Sequence, residues 1–243
     1  RVTAVAFDNL GRLALQTREP AMFFLGQRAV MLPGRSRKHT GHELFHLATV
    51  GGLACASCHP EGADDGQVWT FSDFGPRRTQ SLAGGIAGSE PFHWSGDMHD
   101  FAQLSKDVFS SRMSGPRVQP EHTASLMNWI NTIPRLQPPA IADVSAVQRG
   151  ETIFNDTAVG CATCHSGASF TNNQTMHVNT GEALQVPSLR GLAWRAPYMH
   201  NGCAPTLNER FSATTCGGGD MHGKTSHLSA GQKADLVAYL ESL

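Results

Sequence analysis

Charge is scarce in this 243-residue chain: Asp, Glu, Lys and Arg make up only 16% of it, and the formal net charge is −1 at pH 7. No run of Lys or Arg stands out, so the basic footprint of a nucleic-acid binder is missing. Long apolar runs are missing as well, and no stretch approaches the ~18 residues that would span a bilayer. The chain opens on Arg1 with neither a Met nor the apolar segment of a secretory leader. The expectation is a removed leader or a cut from a larger parent. Gly and Pro number 25 and 13. That composition suits a loop-rich chain organised around buried cofactors rather than around long regular elements.

Cysteine is also sparse, at six, but four of the six fall into two copies of one string. Cys55-Ala56-Ser57-Cys58-His59 and Cys161-Ala162-Thr163-Cys164-His165 each read C-x-x-C-H, the attachment signature of c-type heme. Two thiols at this spacing can form thioethers to one porphyrin, and the adjacent histidine is then held beneath the iron as proximal ligand. A structural zinc site would want its second ligand pair close by, whereas these pairs lie far apart and each carries its own His. The expected cofactors are therefore two covalently attached c-type hemes, on Cys55, Cys58 and His59 and on Cys161, Cys164 and His165. Cys203 and Cys216 remain. Covalent heme and a spare Cys pair point to a periplasmic or otherwise extracytoplasmic, oxidising space. A bridge between the two would be worth about 3 kcal/mol in the chain-entropy view; the alternative is two free buried thiols.

A repeat surrounds the two strings. Gly41-His-Glu-Leu-Phe45 precedes the first as Gly150-Glu-Thr-Ile-Phe154 precedes the second, each reading as the end of a short helix that leads into a heme loop. Each unit closes with an amphipathic helix. The first spans about Glu121 to Ile133, with Leu126, Trp129, Ile130 and Ile133 on one face. The second spans about Ser229 to Leu243, with Leu236, Tyr239, Leu240 and Leu243 in the same phase. Ser229 is the expected N-cap, and Pro134 stops the first closing helix. A proline-marked linker, Pro134 to Asp143, separates the units. Ahead of them, Val2–Phe7 and Arg12–Thr17 flank Asp8-Asn-Leu-Gly11, a hairpin signal, and Ala21–Leu25 is a candidate third strand. The expected fold is mainly α: two cytochrome c-like heme domains in tandem, residues 36–137 and 138–243. A short N-terminal β-hairpin extension, residues 1–35, precedes them. Such a hairpin cannot bury a face by itself, so it packs on the heme domains or is the remnant of a larger β-domain.

Val186-Pro-Ser-Leu-Arg-Gly191 followed by Ala196-Pro-Tyr-Met-His-Asn-Gly202 resembles the bacterial diheme cytochrome c peroxidase family, which includes the diheme enzymes that mature methylamine dehydrogenase. Phe92-His-Trp94-Ser-Gly96 and Phe170-Thr-Asn-Asn-Gln resemble further strings of that family, in family order. The resemblance covers about Gly41 to Leu243. It implies a peroxidatic first heme, an electron-supplying second heme and a tryptophan between them, at Trp94. It also implies a methionine ligand on the second iron. Met221 is the expected one, with Met176 and Met199 as competitors; a thioether raises the potential of its iron.

The pattern departs at the first heme. Where the family carries a Glu-Met pair, this chain has Arg112-Met113, and arginine cannot take a proton from peroxide. The family's switchable histidine is missing too, since no His or Met lies between His59 and His93. The distal side of the first heme is then closed by Met113 or by a residue of His93–His99, or is open. His93, Trp94 and Arg112 are the candidate catalytic residues, with Asp97 and His99 as further replacement bases. Arg78 and Arg195 stand where calcium-binding side chains are expected, which weighs against that ion.

The leading expectation is a diheme c-type cytochrome for extracytoplasmic electron transfer, served by a small cytochrome or cupredoxin-like redox partner, with no nucleic acid and no membrane span. Hydrogen peroxide reduction by a working peroxidase or related diheme oxidase is one alternative. An electron-transfer domain of a larger β-domain-containing oxidoreductase is the other.

Overall fold

The computed structural model of the protein describes residues 2–33, 39–212 and 215–243. Its helices are α1 (Thr40–Phe45), α2 (Cys55–Cys58), α3 (Phe101–Leu104), α4 (Pro120–Ile130), α5 (Val144–Asn155), α6 (Leu207–Ser212) and α7 (Ala230–Glu241). They build two apolar cores. Phe45, Phe92, Met98, Phe101, Leu126 and Ile130 form the first. Phe154, Val159, Leu207, Leu236 and Leu240 anchor the second.

Each core is organised by one helix crossing, and the two crossings have the same construction. A Cβ added at Gly41 of α1 would run into the Ser125 carbonyl oxygen and Trp129 Cβ of α4. A Cβ at Gly150 of α5 would run into the Asp235 carbonyl oxygen and Tyr239 Cβ of α7. Glycine is needed because the backbones touch. The aromatic on each closing helix then packs on the repeated phenylalanine: Phe45 lies 4.6 Å from Trp129 and Phe154 lies 5.2 Å from Tyr239, centroid to centroid. Local signals fix the helix starts. Ser229 caps α7 in a reciprocal box with Gln232, Asp143 caps α5 through the Ala146 N–H at 2.9 Å, and Pro120 opens α4. The first closing helix ends earlier than its apolar phase suggests, at Ile130, because the chain turns through Thr132 and Ile133 before Pro134.

The N-terminal segment is larger than the expected hairpin. It is a four-stranded antiparallel meander of β1 (Val2–Phe7), β2 (Leu13–Arg18), β3 (Ala21–Leu25) and β4 (Arg28–Met31). The last strand is too short and too charged at its start to announce itself by alternation. The sheet's outer strands stay open, with Val5, Phe7, Val30 and Met31 58–72% exposed, while Met22, Phe24 and Leu25 of β3 are half-buried. A polar clamp holds the sheet to α1. Arg18 donates to both carboxylate oxygens of Glu43 at 2.7 Å and to Thr40 Oγ1 at 3.0 Å, and Glu19 accepts the Thr40 N–H at 2.9 Å.

Two further hairpins, β5 (Val68–Phe71) with β6 (Gly75–Arg78) and β7 (Thr175–His177) with β8 (Ala183–Gln185), follow the two Cys-His strings. The linker after Ile133 is irregular but pinned, since Trp194 Nε1 donates to the Gln137 carbonyl at 2.7 Å.

Candidate heme-binding site

A cavity of about 1090 Å³ runs through the middle of the protein and is lined by Cys55, Cys58 and His59 at one end and by Cys161, Cys164 and His165 at the other. It exceeds the ~300–1,000 Å³ of an ordinary small-molecule site. α2 carries Cys55 and Cys58, and a single tight turn, Cys161–Thr163, starts the second string. None of the four cysteines is paired in a disulfide. Burial pushes Cys55 and Cys161 each up to about 11. These Cys and His ligand atoms do not converge. Among the described residues the one group of three close enough for a metal is His42, His46 and Glu61, elsewhere.

The two histidines are set differently. His165 Nδ1 lies 3.1 Å from the Phe170 carbonyl, so the Nδ1–H tautomer leaves Nε2 free for a metal. His59 is half-buried, with its Nδ1 inaccessible and unpartnered. Burial holds both imidazoles below their ordinary value, against the pull of nearby backbone groups.

Between the two ends lies a second repeat. Phe92-His93-Trp94-Ser95-Gly96 and Tyr198-Met199-His200-Asn201-Gly202 form the same loop. The Phe92 N–H bonds the Met98 carbonyl at 2.8 Å and the Tyr198 N–H bonds the Ala204 carbonyl at 2.7 Å. His93 and Met199 both adopt positive φ, 68° and 72°, as do Gly96 and Gly202, at 65° and 67°. A Pro-aromatic-x-x-x-Gly pattern in both copies was the available signal. Trp94 and His200 are thus equivalent positions, and they meet edge to face with centroids 6.3 Å apart. Trp94 Nε1 donates to the Arg78 carbonyl at 2.8 Å, and its own carbonyl accepts from Gln185 N at 2.7 Å. Trp94 therefore bridges the two halves.

On the first side, His93, Trp94, Asp97, Arg112 and Met113 all line the cavity, whereas His99 is exposed and Met98 is buried in the first core. His93 Nδ1 is 3.0 Å from Asp97 Oδ1, which also accepts from Ser95 Oγ at 2.7 Å. Burial keeps His93 below its ordinary value despite the Asp97 charge. Arg112 and Met113 end a π-helical continuation of α3, Ser105–Arg112, a rare widening that is frequent at functional sites. The exposed Arg112 guanidinium sits over the Phe74 ring at 5.2 Å.

On the second side, Met221, expected as the distal ligand, reaches the cavity wall but is 65% exposed. Its neighbour His222 turns inward, its ring centroid 6.3 Å from that of His165 and its Nδ1 buried without a partner. The two are consecutive residues of one short turn, Gly219–His222, and sequence spacing alone does not tell them apart. Burial, with the charges of Arg210 and His165, pushes His222 down to about 3. Met176 is 38% exposed on β7, and Met199 packs on the second core.

The arginines at the expected calcium position form their own polar cluster. Arg78 is buried and paired with Asp64 at 2.9 Å, and Arg195 donates to the Ser188 carbonyl at 3.0 Å. Burial pushes Arg195 down to about 10, with Asp64 opposing that shift and Arg78 adding to it. Two guanidinium groups in this place repel a divalent cation. Arg78 Nε, Arg195 Nε, His200 Nδ1 and His222 Nδ1 are all buried, unpartnered and on the cavity wall. Orphaned imidazoles and guanidinium groups around an apolar slot fit a flat cofactor carrying a metal and carboxylates, as heme does.

The comparisons agree with this chemistry. The cytochrome c family profile matches residues 147–243. The chain is 29% identical to hydrazine synthase subunit gamma of Kuenenia stuttgartiensis, over 79% of this chain and 72% of that one. It is 27% identical to the methylamine utilization protein MauG of Methylorubrum extorquens, over 84% of this chain and 76% of that one. The crystal structure of the diheme peroxidase BthA from Burkholderia thailandensis shares the fold, with a TM-score of 0.53 at 15% identity over 99% of this chain and 94% of that one.

Proposed function

Because this chain belongs to the bacterial diheme cytochrome c peroxidase family, we propose that it is a diheme c-type cytochrome that moves electrons between two iron centres. One heme is held by Cys55, Cys58 and His59 within residues 36–137, and the other by Cys161, Cys164 and His165 within residues 138–243. When bound, the porphyrin irons supply one-electron redox chemistry. The observation that carries this reading is the single cavity joining both strings, with Trp94 and His200 in contact between them. Trp94 provides an aromatic stepping point fixed at both its N–H and its carbonyl. Met113, and after it His93, would hold the distal side of a heme bound at the first string, and Arg112 offers no base. Covalent heme and the Cys203–Cys216 bridge support an extracytoplasmic location and a small redox protein as partner.

A second reading, turnover of hydrogen peroxide, is favoured by one observation. His93 is held neutral by burial and oriented by Asp97 inside the first end of the cavity, which is the arrangement of a general base. Rapid mixing of half-reduced protein with peroxide separates the readings. No reaction, with a low-spin spectrum that depends on Met113, supports electron conduction. A fast high-valent signal lost in His93→Gln overturns it.

A further inference from the structure

His222 stands on the short turn Gly219–His222, and its surroundings hold it in place. Arg210 of α6 donates to its carbonyl at 3.1 Å. Upstream, Gly218 N bonds the Asn179 carbonyl at 2.8 Å. Cys216, joined to Cys203, fixes where the turn begins. Downstream, the Lys224 N–H bonds the Val159 carbonyl at 2.8 Å, and a Cβ at Gly223 would lie 3.6 Å from Cys161 Sγ. The turn is therefore stitched to the second Cys-His string, and positive φ at Gly217, Gly218, Gly219 and Gly223 (48–84°) lets the backbone make the approach.

His222 faces His165 with ring centroids 6.3 Å apart and planes 33° from parallel. That is too wide for stacked rings in face contact. Two imidazoles on opposite sides of one metal, each with a metal–nitrogen bond of about 2 Å plus the ring's own half-width, put their centroids roughly 6 Å apart. Met221, at the adjacent position, is 65% exposed.

We infer that His222 is the distal ligand of the second iron, opposite His165, so that this site carries two imidazoles rather than an imidazole and a thioether. The inference rests on reading Cys161, Cys164 and His165 as a heme attachment. Its consequence is directional. A thioether raises the potential of its iron, so a two-imidazole site lies lower and donates electrons more readily than it collects them.

The test uses the oxidised holoprotein. In His222→Ala, the electron paramagnetic resonance signal of one heme of the two should pass from low spin to high spin and return to low spin with added imidazole. His222→Met should keep that heme low-spin, raise its midpoint potential and add a sulfur-to-iron charge-transfer band. Met221→Leu and Met199→Leu should leave both hemes as they are. Low-spin signals that survive in His222→Ala, unchanged potentials in His222→Met, or loss of a low-spin signal in either Met variant would overturn the assignment. A Cys161–Cys164 peptide whose mass includes no heme would instead sink the heme reading beneath it.

Discussion

Trp94 and His200 sit at equivalent positions of two copies of one loop and touch edge to face, centroids 6.3 Å apart at 67°. The contact links the half of the chain that carries His59 to the half that carries His165. If electrons cross here, the ring matters more than the N–H. Trp94→Phe should cost about 1 kcal/mol for the lost bond to the Arg78 carbonyl and leave inter-heme electron exchange nearly intact. Trp94→Leu should slow that exchange while both hemes stay attached. Flash-induced redistribution of electrons in half-reduced protein measures it, and equal rates in the two variants would count against the path.

The two helix crossings should respond alike. Gly41→Ala and Gly150→Ala each force a methyl against a carbonyl oxygen of the facing helix, and overpacking of this kind costs about 1–3 kcal/mol. Each variant should melt several degrees lower, at roughly 2–4 °C per kcal/mol for a chain of this size. A neutral substitution at either site would mean that the helices slide apart without cost.

His200 gives a pH dependence of known sign. Burial and the Arg77 charge hold its imidazole below the ordinary value, with Glu182, 3.7 Å away, pulling back. As pH falls below about 6.5 the unfolded chain takes the proton before the folded one does, so stability drops on acidification, by at most about 1.4 kcal/mol per pH unit for one proton. Denaturant titrations between neutral and mildly acidic pH should show a shallower acid loss in His200→Gln than in the parent. Parallel curves would refute it.

Cys203 and Cys216 are bonded, with Cα atoms 5.4 Å apart. Replacing both with Ser should cost about 2–4 kcal/mol and loosen the turn that carries His222. Peptide mapping without reductant should recover the linked pair from the parent protein.

The heme strings, the repeat of Gly41–Phe45 in Gly150–Phe154 and the Ser229 cap were legible because each depends on residues close in sequence. Cys203 and Cys216 were legible by elimination, though their pairing needed the fold. β4 was not legible, since four residues opening on Arg28 alternate too briefly. Nor was the burial of His222 Nδ1 beside an exposed Met221. Which of two neighbours faces inward is set by clamps from Arg210, Asn179 and Val159, all distant in sequence. The loop shared by Trp94 and His200 was visible in principle, but its two copies differ at the positions that carry chemistry, and it shows as a repeat chiefly through its backbone.

The meander β1–β4 has a practical consequence for anyone handling the protein. Among the described residues its outer strands are β1 and β4, and Val2, Val5, Phe7, Val30 and Met31 on them are 49–72% exposed. Free strand edges beside apolar side chains recruit further strands, and a net charge of −1 supplies almost no colloidal repulsion. Concentrated solutions should therefore self-associate in a way that added salt does not reverse and mild detergent does. Sedimentation or light scattering on the intact holoprotein should grow with concentration, and a lysine at Val5 should suppress that growth without touching either heme spectrum.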